Sequence, residues 1–270
     1  MSGKTNISNS TRQLTFCALF AALSIVFTRL ISYTPTPFQR YAINEVFIFL
    51  SGLFFGPLAG GLVGFGSDAL GAVLFSPFGY NPILGIPAIL YGVVGGLVRT
   101  LLAKRFNFGR LLLSFLVPAV AGSILVQSMA MAYVYPQFPT YMESFGYFLL
   151  TRSIQYSIIT FVDVLIIFWL IRSGVFAKVN IWPPKQEDVT TSLDGIVRIL
   201  IGLALLVLQI VAIVSSANYK GLPTVRIGSL SATAYSIGNM LAYYLVGICG
   251  ILLITFGIRA YCKSKKTAKK

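Results

Sequence analysis

Asp68 is the side chain with the most chemistry to offer. It stands near the middle of residues 55–72 (FGPLAGGLVGFGSDALGA), a run apolar enough for lipid and dense in glycine. A carboxylate at that depth is costly unless it faces protein, ligand or water. Three states are open to it from sequence: a pair with an arginine, a protonated carboxyl, or a ligand contact. Further polar side chains interrupt the apolar runs around it. Arg40, Asn44 and Glu45 precede it, Tyr80 and Asn81 follow it, and Gln127, Arg152, Gln155 and Tyr156 come later. Asp163 sits mid-span in the sixth apolar run. Such groups need partners when buried.

The segments expected at one face are rich in rings and amides: Tyr33 to Tyr41 with Phe38, Ser76 to Pro82, and Tyr133 to Phe148. This makeup suits a pocket for a flat, partly polar small molecule. An interfacial aromatic belt is the plainer reading. It leaves the Pro, Asn, Gln and Arg among the rings unexplained. Catalysis loses most of its usual machinery. The chain has no His, no Walker P-loop, and three cysteines (Cys17, Cys249, Cys262) without metal-ligand spacing. No catalytic residue, metal or cofactor is expected.

The elements that must position these residues are membrane helices. The chain is 56% hydrophobic and only 10% charged, against about 25% charged in soluble domains; its mean hydropathy is +0.82. The net charge of +14 comes from 21 Lys+Arg against 7 Asp+Glu. The basic residues cluster between apolar runs and in the C-terminal lysines, which fits topology and anionic lipid rather than nucleic acid. Eight spans are predicted: 14–33, 43–56, 58–76, 84–103, 111–134, 148–171, 195–215 and 235–260. The second is short, and Gly56-Pro57 predicts a tight helical turn into the third. Arg29, near the end of the first span, is placed to snorkel toward headgroups. The polar N-terminal residues are too hydrophilic for a signal-peptide core, so the first span is expected to be retained.

Loop charges set orientation. With the N-terminus inside, Lys104, Arg105, Arg110, Arg172, Lys178, Lys185 and the lysine tail are cytoplasmic, whereas Arg40, Lys220 and Arg226 face out. Both termini are therefore expected in the cytoplasm of a multi-pass cell-membrane protein. A composition shift at Asn180–Leu193 reads as a linker. It divides a six-helix membrane core (1–178) from a two-helix extension with a basic tail (194–270), the linker covering 179–193. The extension helices read as ordinary lipid-facing helices. The fold class is an all-α polytopic transmembrane bundle. Small residues at Ala18 and Ala22, and at Gly60 and Gly64, form helix faces that another helix can approach closely. Plain helix-forming alanine also explains the first pair.

Taken together, the Ala18-x-x-x-Ala22 helix, the Phe55-Gly56-Pro57 turn, the glycine stretch through Asp68-Ala69-Leu70-Gly71-Ala72 and the Pro77…Gly79-Tyr80…Pro82 loop resemble the substrate-binding S-component of energy-coupling factor vitamin transporters, most closely its folate-type branch. The likeness covers roughly residues 12–174. It implies a six-helix protein that captures a vitamin from outside and docks on a transmembrane coupling subunit bound to two cytosolic ATPases. By that resemblance Ala18 and Ala22 contact the coupling subunit. Two departures stand out. Ile83-Leu84-Gly85-Ile86 follows Tyr80-Asn81-Pro82 where folate-type members carry Gly-Phe-Thr-Leu, and two extra spans follow the core.

On this reading Tyr33, Phe38, Tyr80 and Tyr156 line or stack on a ring. Arg40 and Arg152 neutralise a carboxylate-bearing ligand, and Asn44, Asn81 and Gln127 fix its orientation. Asp68 accepts two N–H groups of a pterin-like edge. The competing readings are an S-component for a different small metabolite, a stand-alone membrane carrier, a membrane-embedded enzyme, and a purely structural membrane protein. A carrier calls for inverted repeats or broken helices, of which only the Gly56-Pro57 break is visible.

Overall fold

A computed structural model describes residues 3–36, 39–75, 80–104, 106–173, 176, 192–218 and 232–268. Helix α1 spans Gly3–Arg29 and leads into a two-stranded antiparallel hairpin, β1 (Tyr33–Thr36) and β2 (Gln39–Tyr41), with Tyr33 opposite Tyr41. Then come α2 (Asn44–Phe55), α3 (Pro57–Phe75), α4 (Pro82–Leu97), the short α5 (Arg99–Lys104) and α6 (Phe108–Pro118). A π-helical segment, Ala119–Val126, joins α6 to α7 (Gln127–Val134), and α8 runs from Tyr141 to Arg172. Two more helices follow, α9 (Ser192–Asn218) and α10 (Ala232–Ala268). Among the described residues, five helical stretches are long and apolar enough to cross a membrane, and α2, α4 and 195–210 of α9 are shorter apolar helices. The protein is a multi-pass membrane helix bundle. The hairpin is the departure from an all-helical reading. The expected linker 179–193 falls almost wholly outside the described residues, as do Phe38 and 76–79.

α2 is the axis of the core. Of its 12 residues, nine are buried, including Val46, Phe49, Leu50 and Leu53 with no exposure. Phe49 packs on Phe115 of α6 with ring centroids 5.1 Å apart, and Tyr91 of α4 lies 5.0 Å from the same ring. α1 covers α2 and α3; α8 covers α2 and α6. The turn from α2 to α3 takes one residue. Gly56 adopts φ 99°, a conformation that L side chains avoid, and its N–H closes on the Gly52 carbonyl at 2.7 Å. Pro57 then starts α3, where its missing N–H has no helical partner to lose.

That turn brings α3 against α4 with almost nothing between them. A Cβ on Gly60 would collide with the Gly92 carbonyl oxygen and the Gly52 Cα. A Cβ on Gly92 would collide in turn with the Gly60 carbonyl, and one on Gly96 with the Pro57 backbone. In lipid, where no hydrophobic drive pulls helices together, such backbone-to-backbone approach is what dispersion can use. The density of glycine between Gly52 and Gly96 has this cause.

Helix lengths then create room. At about 1.5 Å per residue, α2 is only about 18 Å long, against a hydrocarbon slab of about 30 Å. The hairpin enters at the N-terminal end of α2. The glycine crossing makes a prediction. Gly92→Leu has no space to relax into and should cost at least about 2 kcal/mol. Gly66→Ala, with nothing within 4 Å of its added methyl, should leave the melting temperature at or above wild type. Thermal unfolding of detergent-purified protein, followed by intrinsic fluorescence, checks both.

Candidate functional site

Two clusters of polar side chains flank the N-terminal turn of α2. The first lies among α1, α2, α3 and α4. Ser24, Thr28, Arg29, Asn44, Ser67 and Asp68 line a cavity of about 20 Å³, the size of a single water. The hydroxyls of Thr28 and Ser67 bond back to their own helices, to the Ser24 carbonyl at 2.6 Å and the Gly64 carbonyl at 3.1 Å. Arg29 does not snorkel away. It lies across α3, where a Cβ on Gly71 would stand 3.2 Å from its Nε, so the missing side chain is what admits it. Its guanidinium and that of Arg40 are within electrostatic range of the Asp68 carboxylate. Gly85 is the other permissive position. A Cβ there would stand 2.8 Å from Asp68 Oδ2 and 3.0 Å from the Tyr80 hydroxyl. Asp68 and Tyr80 therefore meet over the first turn of α4. Burial, and then the Asp68 charge, pushes the Tyr80 phenol above its ordinary pKa.

The second cluster lies among α2, α4, the π segment, α7 and α8. Glu45, Tyr91, Ser123, Arg152, Gln155, Tyr156 and Asp163 are all buried there. The Ser123 hydroxyl is 3.5 Å from the Tyr91 hydroxyl, and the Tyr156 hydroxyl donates to Gln127 Oε1 at 3.4 Å. The Arg152 guanidinium sits against the Tyr156 hydroxyl. Glu45 lies within electrostatic range of Asp163, Tyr91 and Tyr156. Glu45 Oε2, both Asp163 oxygens, Arg152 Nε and Gln155 Oε1 have no protein partner. Buried polar atoms without a protein partner are few in native proteins, and here several gather in one place. The π segment contributes directly. Pro118 cannot donate its helical bond, the turn widens after it, and Ser123 and Gln127 are carried toward α4 and α8.

β2 spans both clusters. Gln155 Nε2 donates to the Arg40 carbonyl on one side, while the Arg40 side chain reaches the field of Arg29 and Asp68 on the other. The structure thus gathers Asp68, Asn44, Arg40 and Tyr80 into one cluster and Gln127, Arg152 and Tyr156 into the other. Asn81 is occupied as the N-cap of α4, its Oδ1 accepting from the Ile83 N–H at 3.1 Å. Tyr33 sits on β1 opposite Tyr41. Sequence reasoning passed over Ser24, Thr28, Ser67, Tyr91 and Ser123, gave Arg29 only a snorkelling role, and left Glu45 open between an interhelical hydrogen bond and a ligand contact. One signal was available for Asp163: with Arg152 and Tyr156 it falls on a single stripe of α8.

Residues 8–178 match the family "ECF-type riboflavin transporter, S component". The chain belongs to this family. It is a family of transporter subunits, not of enzymes, and the match ends before α9 begins. The folate transporter FolT of Clostridium novyi (strain NT) is 37% identical over 81 residues, which is 30% of this chain and 46% of that protein. The aligned stretch is thus about half of the relative's length. Among solved structures, FolT bound with folic acid superposes with a TM-score of 0.52 at 22% identity, covering 64% of this chain and 97% of the other. At that identity the likeness shows the fold: a helical membrane bundle that this S-component reproduces and then extends.

The electrostatic coupling of Arg29 to Asp68 generates a prediction. Arg29→Ala should lower the melting temperature, because it strips a half-buried carboxylate of a compensating charge. The loss should shrink by about 1 kcal/mol or more in an Asp68→Ala background. A double-mutant cycle on the ligand-free chain measures it.

Proposed function

We propose that this S-component captures a folate-like vitamin at its hairpin end and passes it on by docking on a coupling subunit bound to two cytosolic ATPases. The observation that carries this reading is the pair of polar clusters beneath β2, at a depth where buried polar groups are expensive, in a chain of a vitamin-transporter family. Asp68 accepts two adjacent N–H groups of the ligand ring. Asn44 and Gln127 orient it, and Tyr80 and Tyr156, with Tyr33 and Phe38, line it. Asn81 acts through the cap that sets the first turn of α4. Arg40 and Arg152 attract carboxylates. That last feature favours folate over riboflavin: folic acid carries two carboxylates, whereas riboflavin carries none. The chain's similarity to the folate transporter of Clostridium novyi and to a structure of FolT bound with folic acid supports the same choice. The cavity among Ser24, Arg29, Asn44 and Asp68 has a volume of about 20 Å³, so a vitamin bound there requires the hairpin and the start of α2 to move.

Ala18 and Ala22 lie exposed on α1, with α9 and α10 packed elsewhere, on each other and on α6 and α8. A small-residue face left open in this way is the proposed coupling-subunit surface. We place the hairpin end outside and both termini in the cytoplasm, with the core at 1–178, the linker at 179–193 and the extension at 194–270.

Thermal unfolding of the purified chain with folic acid and with riboflavin tests the reading. Folic acid should raise the melting temperature in a saturable way. Asp68→Asn should weaken its binding by about tenfold or more. Stabilisation by riboflavin alone, or by neither, would overturn the folate reading, and unchanged affinity in Asp68→Asn would remove that residue's role. Ala18→Trp should abolish co-purification with a coupling subunit and ATPases while leaving vitamin binding intact. Retained co-purification would remove α1 from the interface.

A further inference from the structure

Helices α9 and α10 lie beyond the residues matched by the family, and they are not mere passengers. They pair antiparallel through glycines. A Cβ on Gly202 would stand 2.7 Å from the Gly250 carbonyl oxygen, and one on Gly257 would stand 2.8 Å from that of Gly195. Each helix repeats its glycine after seven residues, so the two backbones meet twice and form one stiff unit. This unit is fastened to the core. The Arg198 guanidinium lies 4.9 Å over the Phe108 ring, and Cys249 and Leu253 are buried in the main core cluster.

The contact nearest the candidate site is more specific. Val246 of α10 is fully buried against Ile154 of α8, within a patch completed by Leu150, Ile158, Leu205 and Leu208. Ile154 immediately precedes Gln155, which holds the Arg40 carbonyl of β2, and Tyr156, which donates to Gln127. α10 also lies against β1. One helix therefore touches both parts of the roof, the hairpin and the stretch of α8 that grips it.

We propose that the α9–α10 extension is a brace that fixes the β1–β2 hairpin to α8 and so slows release of the captured ligand. Val246 is a positioning residue that acts through Ile154 and Gln155. The proposal rests on the reading that the clusters beneath β2 hold the vitamin, but one arm of its test does not.

That arm is amide hydrogen exchange on the ligand-free full chain. Val246→Ala should raise exchange at Gln39–Tyr41, and Val246→Ile should restore it. The second arm is dissociation of bound folic acid, which should be about tenfold faster in Val246→Ala. Ile154→Val, which trims one methylene from the α8 side of the same contact, should move both readouts in the same direction by less, and it serves where Val246→Ala fails to fold. A lower melting temperature with wild-type exchange at Gln39–Tyr41 would overturn the brace and leave the extension a structural addition. Faster exchange in a chain that binds no folic acid would keep the brace and sink the folate reading instead.

Discussion

Gly60 and Gly92 meet backbone to backbone, and the rest of the bundle is arranged around that contact. Any side chain at either position would drive α3 and α4 apart. With them would go the one-residue turn at Gly56, the seating of α2 against both helices, and the approach of Asp68 to Gly85 and Tyr80. Glycine weakens an isolated helix by about 1 kcal/mol per residue. The compensation lies in the dispersion contact of two bare helix surfaces, which in lipid replaces the hydrophobic drive of a soluble core. The same device recurs at Gly71, where it admits the Arg29 side chain, and between α9 and α10.

A tightly drawn α2–α3–α4 crossing has a second consequence. α2 is held at the centre of the bundle although it is too short to span it. Its N-terminal turn ends inside, carrying Asn44 toward one polar cluster and the adjacent Glu45 toward the other. Successive residues on a helix point about 100° apart, so neighbouring side chains can serve separate clusters across one helix. The chain fills the missing length with the β1–β2 hairpin, whose backbone groups pair with each other and with Gln155 rather than standing unsatisfied. Site and fold are thus one problem: the short helix makes the room, and the hairpin closes it.

Much of this was legible in the sequence. Hydropathy places the apolar helices, and Gly56-Pro57 gives the turn because each residue permits one specific backbone conformation. Asp68 announces itself through the cost of burying a carboxylate. Other features were not legible. Tyr33 to Tyr41 carries two prolines and reads as a loop; its pairing is a property of the hairpin's setting against α8. Arg29 reads as a snorkelling residue because its partner and the gap at Gly71 lie on another helix. Asn81 reads as a ligand-orienting amide because the helix cap it forms shows only once the start of α4 is placed. The seven-residue glycine spacing of α9 and α10 is diluted by Leu, Ile and Val, and it acquires meaning only when the two helices are aligned antiparallel.

Determination of the structure of the full chain in a lipid nanodisc with folic acid bound is the most direct test. The account places the ligand ring beside Asp68 and Asn44 within the helix bundle, beneath a displaced hairpin, with the Gly60–Gly92 contact unchanged. Asp68 facing acyl chains, or a ligand bound where α3 and α4 have separated, would contradict it.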